Sequence, residues 1–384
     1  MAGGLNPGIT KTYTGHVDLT NSTLEAFDKG FFSETLGRTS YEGAQMFFEE
    51  AREDNSGGTR LEWEVRLRKS GTAQWIAPYA VTGNTQQNLT AKANAPWRAF
   101  QEKVHYDILE KNMNMGKEQL VDVMLPKYSG AIEAIIELID NAVFGAMSSI
   151  TDEDPIYGLQ YWFSPPGTVS TGSYATATDY TGGFNGQTWR AADGTASNTI
   201  GGIDASDVAN SRWRTWTASH GGLMNATLVE TIKRGLTRTK FKSLKGADGK
   251  SKREGQGRRV LFMSHNMADG YETIINSGPD WLNGDAAGKT EAKLRKVDII
   301  RADALGDYSY DPIFAVDTGK IYGRVLTQRE SDENGMPVRS WMAKIPYTRD
   351  RSAMTTLTAA VVAQLQIQCD DRRGAGFGVY GVIA

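Results

Sequence analysis

Cysteine is almost absent from this chain of 384 residues, and the single one, Cys369, excludes both a disulfide framework and a zinc site built from cysteines. Histidine is also scarce, with four residues. No apolar run reaches the 18 residues that indicate a transmembrane helix, and the first residues lack the charged and apolar regions of a signal peptide. We therefore expect a protein that is made and kept in a cytoplasm-like compartment, without a membrane partner.

The charge balance and the apolar content are ordinary. A net charge of −3 gives no overall attraction to nucleic acid or to a membrane surface, and 40% hydrophobic with 23% charged residues is typical of a globular protein. Nine tryptophans and 42 glycines are many for such a chain, which indicates turns and large aromatic contacts rather than a catalytic centre. The length allows two or three domains or one elaborate domain.

Alternating apolar residues predict a long β-hairpin over residues 60–108. Residues assigned to its apolar face include Leu61, Trp63, Val65, Leu67, Trp75, Tyr79 and Trp97. Residues 82–94 are polar, so we expect a polar tip and a return strand that begins at Ala95. Such an arm cannot bury its aromatic face on itself, and we expect it to pack on a neighbouring subunit. The contact residues predicted are Trp63, Trp75, Tyr79, Trp97 and Arg98.

A sugar-binding platform is the alternative use of these tryptophans. Their strict alternation with charged residues favours burial on one side of a sheet instead.

A long amphipathic helix is predicted over residues 116–148, where apolar residues recur at steps of one, three or four. A helix of this length spans about 50 Å, more than most helices of globular domains. Pro126 is expected to kink or split it after its third turn. The opposite face, with Glu133, Glu137 and Asp140, is expected to be solvated or paired across an interface.

The remaining segments indicate a mixed helix and strand chain. Helices are expected over residues 24–36, 41–54, 223–240 and 267–276. Strands are expected over residues 259–263, 297–301, 313–316, 321–326 and 338–343. The segments 355–368 and 377–383 should form a closing β-hairpin. Residues 151–205 are rich in Gly, Ser, Thr and Asn, and we expect a partly ordered surface excursion with Trp162, Phe163 and Trp189 as isolated anchors.

The sequence contains no convincing catalytic or metal motif. His265 and Asp269 are four residues apart, a spacing that can supply two metal ligands, but a third ligand is missing nearby and a capping or surface role is favoured. Ser264 lacks the flanking glycines of a nucleophile elbow. The glycines of residues 374–378 lack the Lys-Ser/Thr of a phosphate loop, and a turn between strands is favoured. We expect no enzyme activity, metal or cofactor.

Residues 233–259 form a basic segment with eleven Lys and Arg residues against two acidic ones, a net charge of +9. The residues at its centre are Lys240, Lys242, Lys245, Lys250, Lys252 and Arg253. The segment could contact nucleic acid or the acidic residues of a neighbouring subunit. We favour the second hypothesis, because aromatic residues within the segment are limited to Phe241.

The order of these parts resembles the major capsid proteins of tailed double-stranded DNA bacteriophages, a fold shared with encapsulin shells and the floor of herpesvirus capsids. The segments that carry the resemblance, besides the hairpin and the long helix, are Gly116-Lys117-Glu118-Gln119-Leu120-Val121-Asp122, Tyr157-Gly158-Leu159, Gly201-Gly202-Ile203-Asp204, Trp213-Arg214, Val260-Leu261-Phe262-Met263-Ser264, Gln364-Leu365-Gln366 and Gly378-Val379-Tyr380-Gly381. It implies an α+β fold with an N-arm, an extended loop, a spine helix, a peripheral domain and an axial domain.

The resemblance also implies the domain boundaries. The N-terminal arm covers residues 1–35, and the extended loop covers 58–107. The peripheral domain takes residues 36–57 and 108–155, including the spine helix. The excursion 156–206 leads into an axial domain over 207–350, and residues 351–384 supply closing strands to both domains.

The implied function is a structural shell subunit that assembles into pentamers and hexamers around phage DNA, which it contacts non-specifically. No long charged helix precedes the arm, so we expect either a separate scaffolding protein or none, and we expect a portal and a possible decoration protein. The location implied is the virion capsid, assembled in the host bacterial cytoplasm. An encapsulin-type compartment is the alternative, and a carbohydrate-binding protein is a third hypothesis.

Overall fold

The protein is described by a computed structural model covering residues 41–48, 52–54, 58–67, 75, 89–107, 124–145, 155–164, 182–185, 189–190, 196–197, 199–239, 259–277, 293–294, 297–308, 310–326, 328–331, 337–340, 343–349 and 356–381. The chain divides into two compact units. One includes residues 101–135 and 343–362, and the other includes residues 40–100, 136–342 and 363–384.

Six α-helices are described: α1 Glu42–Phe48, α2 Met124–Phe144, α3 Leu159–Trp162, α4 Ala226–Thr239, α5 His265–Ser277 and α6 Arg372–Ala375. The first ten strands described are β1 Arg52–Asp54, β2 Arg60–Arg66, β3 Thr90–Pro96, β4 Arg98–Asp107, β5 Gly183–Asn185, β6 Trp189–Arg190, β7 Ala196–Ser197, β8 Thr199–Ile200, β9 Ile203–Asp204 and β10 Thr215–His220. The others are β11 Arg259–Met263, β12 Lys293–Leu294, β13 Val297–Arg301, β14 Ile313–Asp317, β15 Ile321–Leu326, β16 Gln328–Ser331, β17 Pro337–Ser340, β18 Ala343–Arg349, β19 Thr356–Cys369 and β20 Gly376–Gly381. Short 3-10 helices cover Val208–Trp213 and Asp303–Leu305.

A seven-stranded mixed sheet forms the core of the larger unit, in the order β12-β13-β11-β14-β20-β10-β5. Helices α4 and α5 cover it with apolar residues at helical spacing. The Asn225 side chain accepts a hydrogen bond from the Leu228 N–H at 2.8 Å near the start of α4, and the Ser264 hydroxyl accepts one from Met267 at the start of α5. These side chains satisfy donors that a helix start leaves unpaired.

A second sheet has the order β1-β15-β19-β18, with β4 also paired to β19. The hairpin β2–β3 is a separate two-stranded sheet, which runs from Arg60 opposite Pro96 to Arg66 opposite Thr90. Leu67 continues the ladder by donating its N–H to the Leu89 carbonyl at 3.1 Å.

Strand predictions were most accurate for continuous apolar runs. The bounds of β11, β13 and β15 are those predicted, and α4 lies within the expected helix 223–240. The closing β-hairpin is wrong, because β19 pairs with β15 and β18 whereas β20 pairs with β10 and β14. The two strands that we expected to pair with each other belong to different sheets.

Three other boundaries are also wrong. The helix expected over residues 41–54 ends at Phe48, and Arg52–Asp54 is a strand parallel to β15. The return strand of the hairpin begins at Thr90 rather than Ala95. The strand expected over 338–343 is two strands, β17 and β18. The helix expected over 24–36 lies outside the described residues.

The long helix α2 contains 21 residues, and the rest of the span predicted for it lies outside the described residues. Pro126 is the third described residue of α2. The residues directly before Met124 lie outside the described part of the chain, so the kink expected at this proline stays a prediction. Ile135, Ile139 and Val143 are buried as predicted.

Candidate assembly interface and its buried anchor

The hairpin β2–β3 has two different faces. Leu61, Val65 and Leu67 are buried, and the charged residues that alternate with them are exposed. Ala93 and Ala95 on β3 are fully buried. The predicted alternation of β2 is confirmed, and the apolar face packs within the subunit.

Trp63 is fixed by its own chain. Its indole N–H donates to the Cys369 carbonyl at 3.0 Å, and its ring centroid lies 6.2 Å from that of Trp162. Trp63 thus holds the hairpin against residues 162 and 369 of the same unit. Its contact with a neighbouring subunit stays a prediction.

Trp97 and Arg98 follow β3 at the base of the hairpin. Trp97 is half-buried, and its indole N–H is buried with no partner among the described residues. The Arg98 guanidinium lies over the Tyr157 ring, 5.7 Å from its centroid. Both residues therefore have buried parts within the subunit, and their intersubunit role stays a prediction.

Trp75 is fully exposed. An unburied tryptophan costs free energy in water, so this position fits a surface that another molecule covers. Tyr79 lies outside the described residues.

The hairpin rests on a cluster that we call the buried anchor, formed by Trp162, Phe163, Trp213, Arg372 and Tyr380. All five side chains are fully buried. The Trp162 ring meets that of Trp213 edge to face, with 6.4 Å between centroids. The Tyr380 hydroxyl donates to the Phe163 carbonyl. Segments far apart in sequence are thus packed into one site beneath Trp63.

Arg372 is the polar centre of the buried anchor. Its guanidinium donates to the carbonyls of Trp162 at 2.5 Å and Trp213 at 3.0 Å and to the Ser164 hydroxyl at 3.2 Å. Burial lowers the pKa of this guanidinium to about 10, so it remains charged at neutral pH. The fork of donors suits several acceptors at once, and Arg372 joins three separate segments.

Sequence reasoning missed this role. The residues Asp371-Arg372-Arg373-Gly374 were predicted to form a turn, and nothing local distinguishes Arg372 from Arg373. The segment 155–164 was likewise expected at the surface, but Leu159, Trp162 and Phe163 are fully buried. The one sequence signal for this burial was the presence of two large aromatic residues, Trp162 and Phe163, in a Gly-rich region.

An ion pair between the buried Lys320 and the half-buried Asp371 lies beside the anchor. The Lys320 ammonium donates to the Gly374 carbonyl at 2.9 Å and lies 3.7 Å from an Asp371 carboxylate oxygen. Burial lowers the pKa of Lys320 and raises that of Asp371. Because the ammonium is hydrogen-bonded to Gly374 and paired with Asp371, it fixes the turn between β19 and β20 rather than offering a reactive amine.

Asp140 corrects another expectation. It was assigned to the solvated face of the long helix, but it is only 4% exposed. Its carboxylate accepts a hydrogen bond from the Ala44 N–H at 2.9 Å. Burial raises its pKa to about 6.

Asp140→Asn should flatten the pH dependence of stability between about pH 4 and pH 6. Because the pKa of Asp140 is raised in the folded state, the folded chain binds the proton more tightly than the unfolded chain. The free energy of unfolding of the wild type therefore falls as pH rises through this window, by about 1–3 kcal/mol from this group. Asparagine keeps an acceptor oxygen for the Ala44 N–H and carries no charge. Urea unfolding of unassembled subunits at several pH values measures the effect.

Glu137→Gln is the matched control, because Glu137 is exposed on the same helix. Parallel stability curves for wild type and Asp140→Asn would contradict the assignment.

The basic segment is described only at its two ends. Lys240, Lys242, Lys245, Lys250, Lys252 and Arg253 lie outside the described residues. Arg234 forms an ion pair with Glu230 at 3.4 Å within α4, and Arg259 lies 3.8 Å from Asp317. The partner of the central residues stays a prediction.

The described residues show no metal centre. No group of three or more His, Cys, Asp or Glu side chains within them could hold an ion. His265 contacts Asp303, and Asp269 lies 3.0 Å from Arg301. Residues 374–378 lie in α6 and the start of β20.

Within the described part of the chain, no helix has the length and apolarity that crossing a membrane requires.

The hairpin, the long helix and the mixed sheet follow one another in the order predicted from the resemblance. This is the fold of the major capsid proteins of tailed double-stranded DNA phages, and the predicted fold is confirmed.

Among solved structures, the chain is similar to the cyanophage A-1(L) capsid subunit, with 14% identity over 93% of this chain and 95% of that one and a TM-score of 0.54. It is also similar to the capsid of a native GTA particle, with 12% identity over 93% and 96% of the two chains and a TM-score of 0.52. No protein-family model matches the sequence, and no curated protein sequence matches it significantly. At these identities the likeness shows the fold.

Proposed function

We propose that the chain is the major capsid protein of a tailed bacteriophage, a structural subunit of an icosahedral shell around double-stranded DNA. The observation that carries the proposal is the capsid-protein fold, which extends over 93% of the chain. The exposed Trp75 in the predicted extended loop supports it, because this surface suits contact with another copy.

In the proposed mechanism, the shell is stabilised by many intersubunit contacts, each of which contributes a small part of the total free energy of assembly. A standard interface buries about 1,600 Å², and each subunit would share several contacts through the arm 1–35, the extended loop 58–107 and the long helix. Contacts that are individually weak let misplaced subunits dissociate before the shell closes. The proposed intersubunit residues are Trp63, Trp75, Tyr79, Trp97 and Arg98.

The remaining partners belong to the same proposal. Pentamers and hexamers of this chain would form with a separate scaffolding protein, around a portal and with a possible decoration protein. Assembly would take place in the host bacterial cytoplasm, and the product would be the virion capsid. The role is structural rather than catalytic.

The contents of purified particles test the function. We expect particles, produced together with the genes that flank this one, to release nuclease-resistant double-stranded DNA after denaturation. An encapsulin-type compartment would instead yield a protein cargo without protected DNA, and a carbohydrate-binding protein would yield no particles. Either result would contradict the proposal.

Neutralising Lys245, Lys250, Lys252 and Arg253 should reduce assembly at low ionic strength. In the proposal these residues meet acidic groups of neighbouring subunits around a symmetry axis. Added salt screens the charges and should reduce the difference in assembly between the wild type and the variant. Light scattering of assembly reactions over a salt series measures this. Normal assembly of the variant at low salt, together with weaker DNA retention, would show that the segment contacts DNA instead.

A further inference from the structure

A cleft of about 300 Å³ lies at the edge of the seven-stranded sheet, beside α4. It is at the lower end of the about 300–1,000 Å³ range of ligand pockets. The residues that line this sheet-edge cleft are Gly182, Gly183, Phe184, Trp216, Arg234 and Arg238.

Aromatic side chains form a row across the sheet at this point. Phe184 on β5 is directly opposite Trp216 on β10, and Trp216 is beside Phe377 on β20. The rings of Trp216 and Phe377 meet edge to face, with 5.1 Å between centroids. Phe184 is half-buried on the edge strand and remains accessible from the cleft.

Two glycines fix the walls of the cleft. A Cβ atom at Gly235 would lie 2.6 Å from Trp216 Cζ3, so the glycine lets α4 approach the indole closely. Gly182 has a φ of +92°, and a Cβ atom there would lie 2.2 Å from Trp216 Cζ2. Both walls are therefore held against the tryptophan, and the cleft is built into the fold.

Three arginines surround the aromatic row. Arg234 and Arg238 are exposed on successive turns of α4, and the Arg373 guanidinium lies 4.0 Å from the centroid of the Phe184 ring. Glu230 pairs with Arg234 and is itself exposed. No carboxylate in the described parts of the chain is within ion-pair distance of Arg238 or Arg373. The cleft is thus positively charged.

We propose that the sheet-edge cleft binds phosphate groups of a single-stranded polynucleotide, with a base against the Phe184 ring, the one member of the aromatic row that is not buried. Guanidinium groups match phosphate geometry, and an aromatic surface in a basic groove is typical of single-stranded nucleic-acid sites. Strand β5 supplies the accessible ring of Phe184, whereas the basic segment contains only one aromatic residue, Phe241. An acidic peptide would use the charges but not the rings. The inference adds a defined nucleic-acid contact to the proposed capsid function.

The test is the binding of a short fluorescent single-stranded oligonucleotide to full-length, unassembled subunits over a salt series. Arg234→Gln with Arg238→Gln should lower the affinity at least about tenfold. It should also reduce the slope of log K against log salt by about 1.4, which corresponds to two phosphate contacts on a single strand. Phe184→Leu should lower the affinity about fivefold or more without changing that slope.

The control is Arg60→Gln with Arg66→Gln, the same change of charge on the exposed face of β2, which should leave the affinity near that of wild type. If the double variant in the cleft fails to fold, Arg238→Gln alone should still reduce the slope by about 0.7. Equal affinities for the cleft variants and the wild type would overturn the inference. So would displacement of the oligonucleotide by poly-glutamate at equal charge, since that result would assign the cleft to an acidic protein segment. The binding assay uses unassembled subunits and needs no shell. A negative binding result would therefore not contradict the proposed capsid function, and a failure of shell assembly would not contradict binding in the cleft.

Discussion

Replacing Arg372 with alanine will lower the free energy of unfolding of the subunit by about 3–5 kcal/mol. The substitution removes three hydrogen bonds and leaves the carbonyls of Trp162 and Trp213 buried without their donor, at about 1–3 kcal/mol for each unsatisfied group. It also opens a cavity in a packed site. Relief from the desolvation of a buried charge offsets part of this loss. Urea unfolding of unassembled subunits measures the difference.

Arg373→Ala is the matched control, because Arg373 is the next residue and is only half-buried. It should cost less than about 1 kcal/mol. Arg372→Met should cost less than Arg372→Ala, since methionine fills more of the volume while supplying no donor. Equal stability of the two alanine variants would show that Arg372 does not hold the buried anchor together.

Trp75→Ala should abolish or strongly impair assembly while leaving the subunit as stable as wild type. The side chain is fully exposed in the subunit, so its removal costs no burial there. In the proposed shell it is an interface aromatic, and truncating such a residue typically costs about 2 kcal/mol or more. That loss corresponds to a rise of about 30-fold in the subunit concentration needed for assembly. Trp97→Ala should also impair assembly more than folding.

Trp63→Ala is the comparison for Trp75→Ala, because Trp63 is packed within the subunit and Trp75 is exposed. Trp63 bonds to the Cys369 carbonyl and packs on Trp162, so its loss should lower the stability of the subunit itself by about 2–4 kcal/mol. Unfolding midpoints and sedimentation of the same preparations measure both effects. If Trp75→Ala destabilised the subunit as much as it weakened assembly, Trp75 would be a core residue and the interface proposal would lose its main support.

The sequence predicted those parts of the fold that a local pattern determines. Strands β11, β13 and β15 are short apolar runs between turns, and β2 alternates cleanly because one of its faces is buried. In each of these strands, the apolar side chains of the sequence pattern are the side chains that the fold buries. The order of hairpin, long helix and mixed sheet then indicated the capsid-protein fold.

The remaining features depend on partners that are distant in sequence. The buried Asp140 carboxylate accepts its hydrogen bond from Ala44, 96 residues away, and Arg372 is buried among carbonyls more than 150 residues away. Strand β20 pairs with β10 and β14 rather than with its neighbour in sequence. Residues 90–94 lack apolar side chains apart from alanine, but their backbone is paired by β2. No local pattern reports such contacts.

The assembly state of the purified chain tests the central claim most directly. Sedimentation and negative-stain electron microscopy should be performed on full-length protein across concentration and ionic strength, with the scaffolding protein added if the neighbouring genes encode one. The proposed function predicts closed shells or ring-shaped pentamers and hexamers. A monodisperse monomer under every one of these conditions would contradict it.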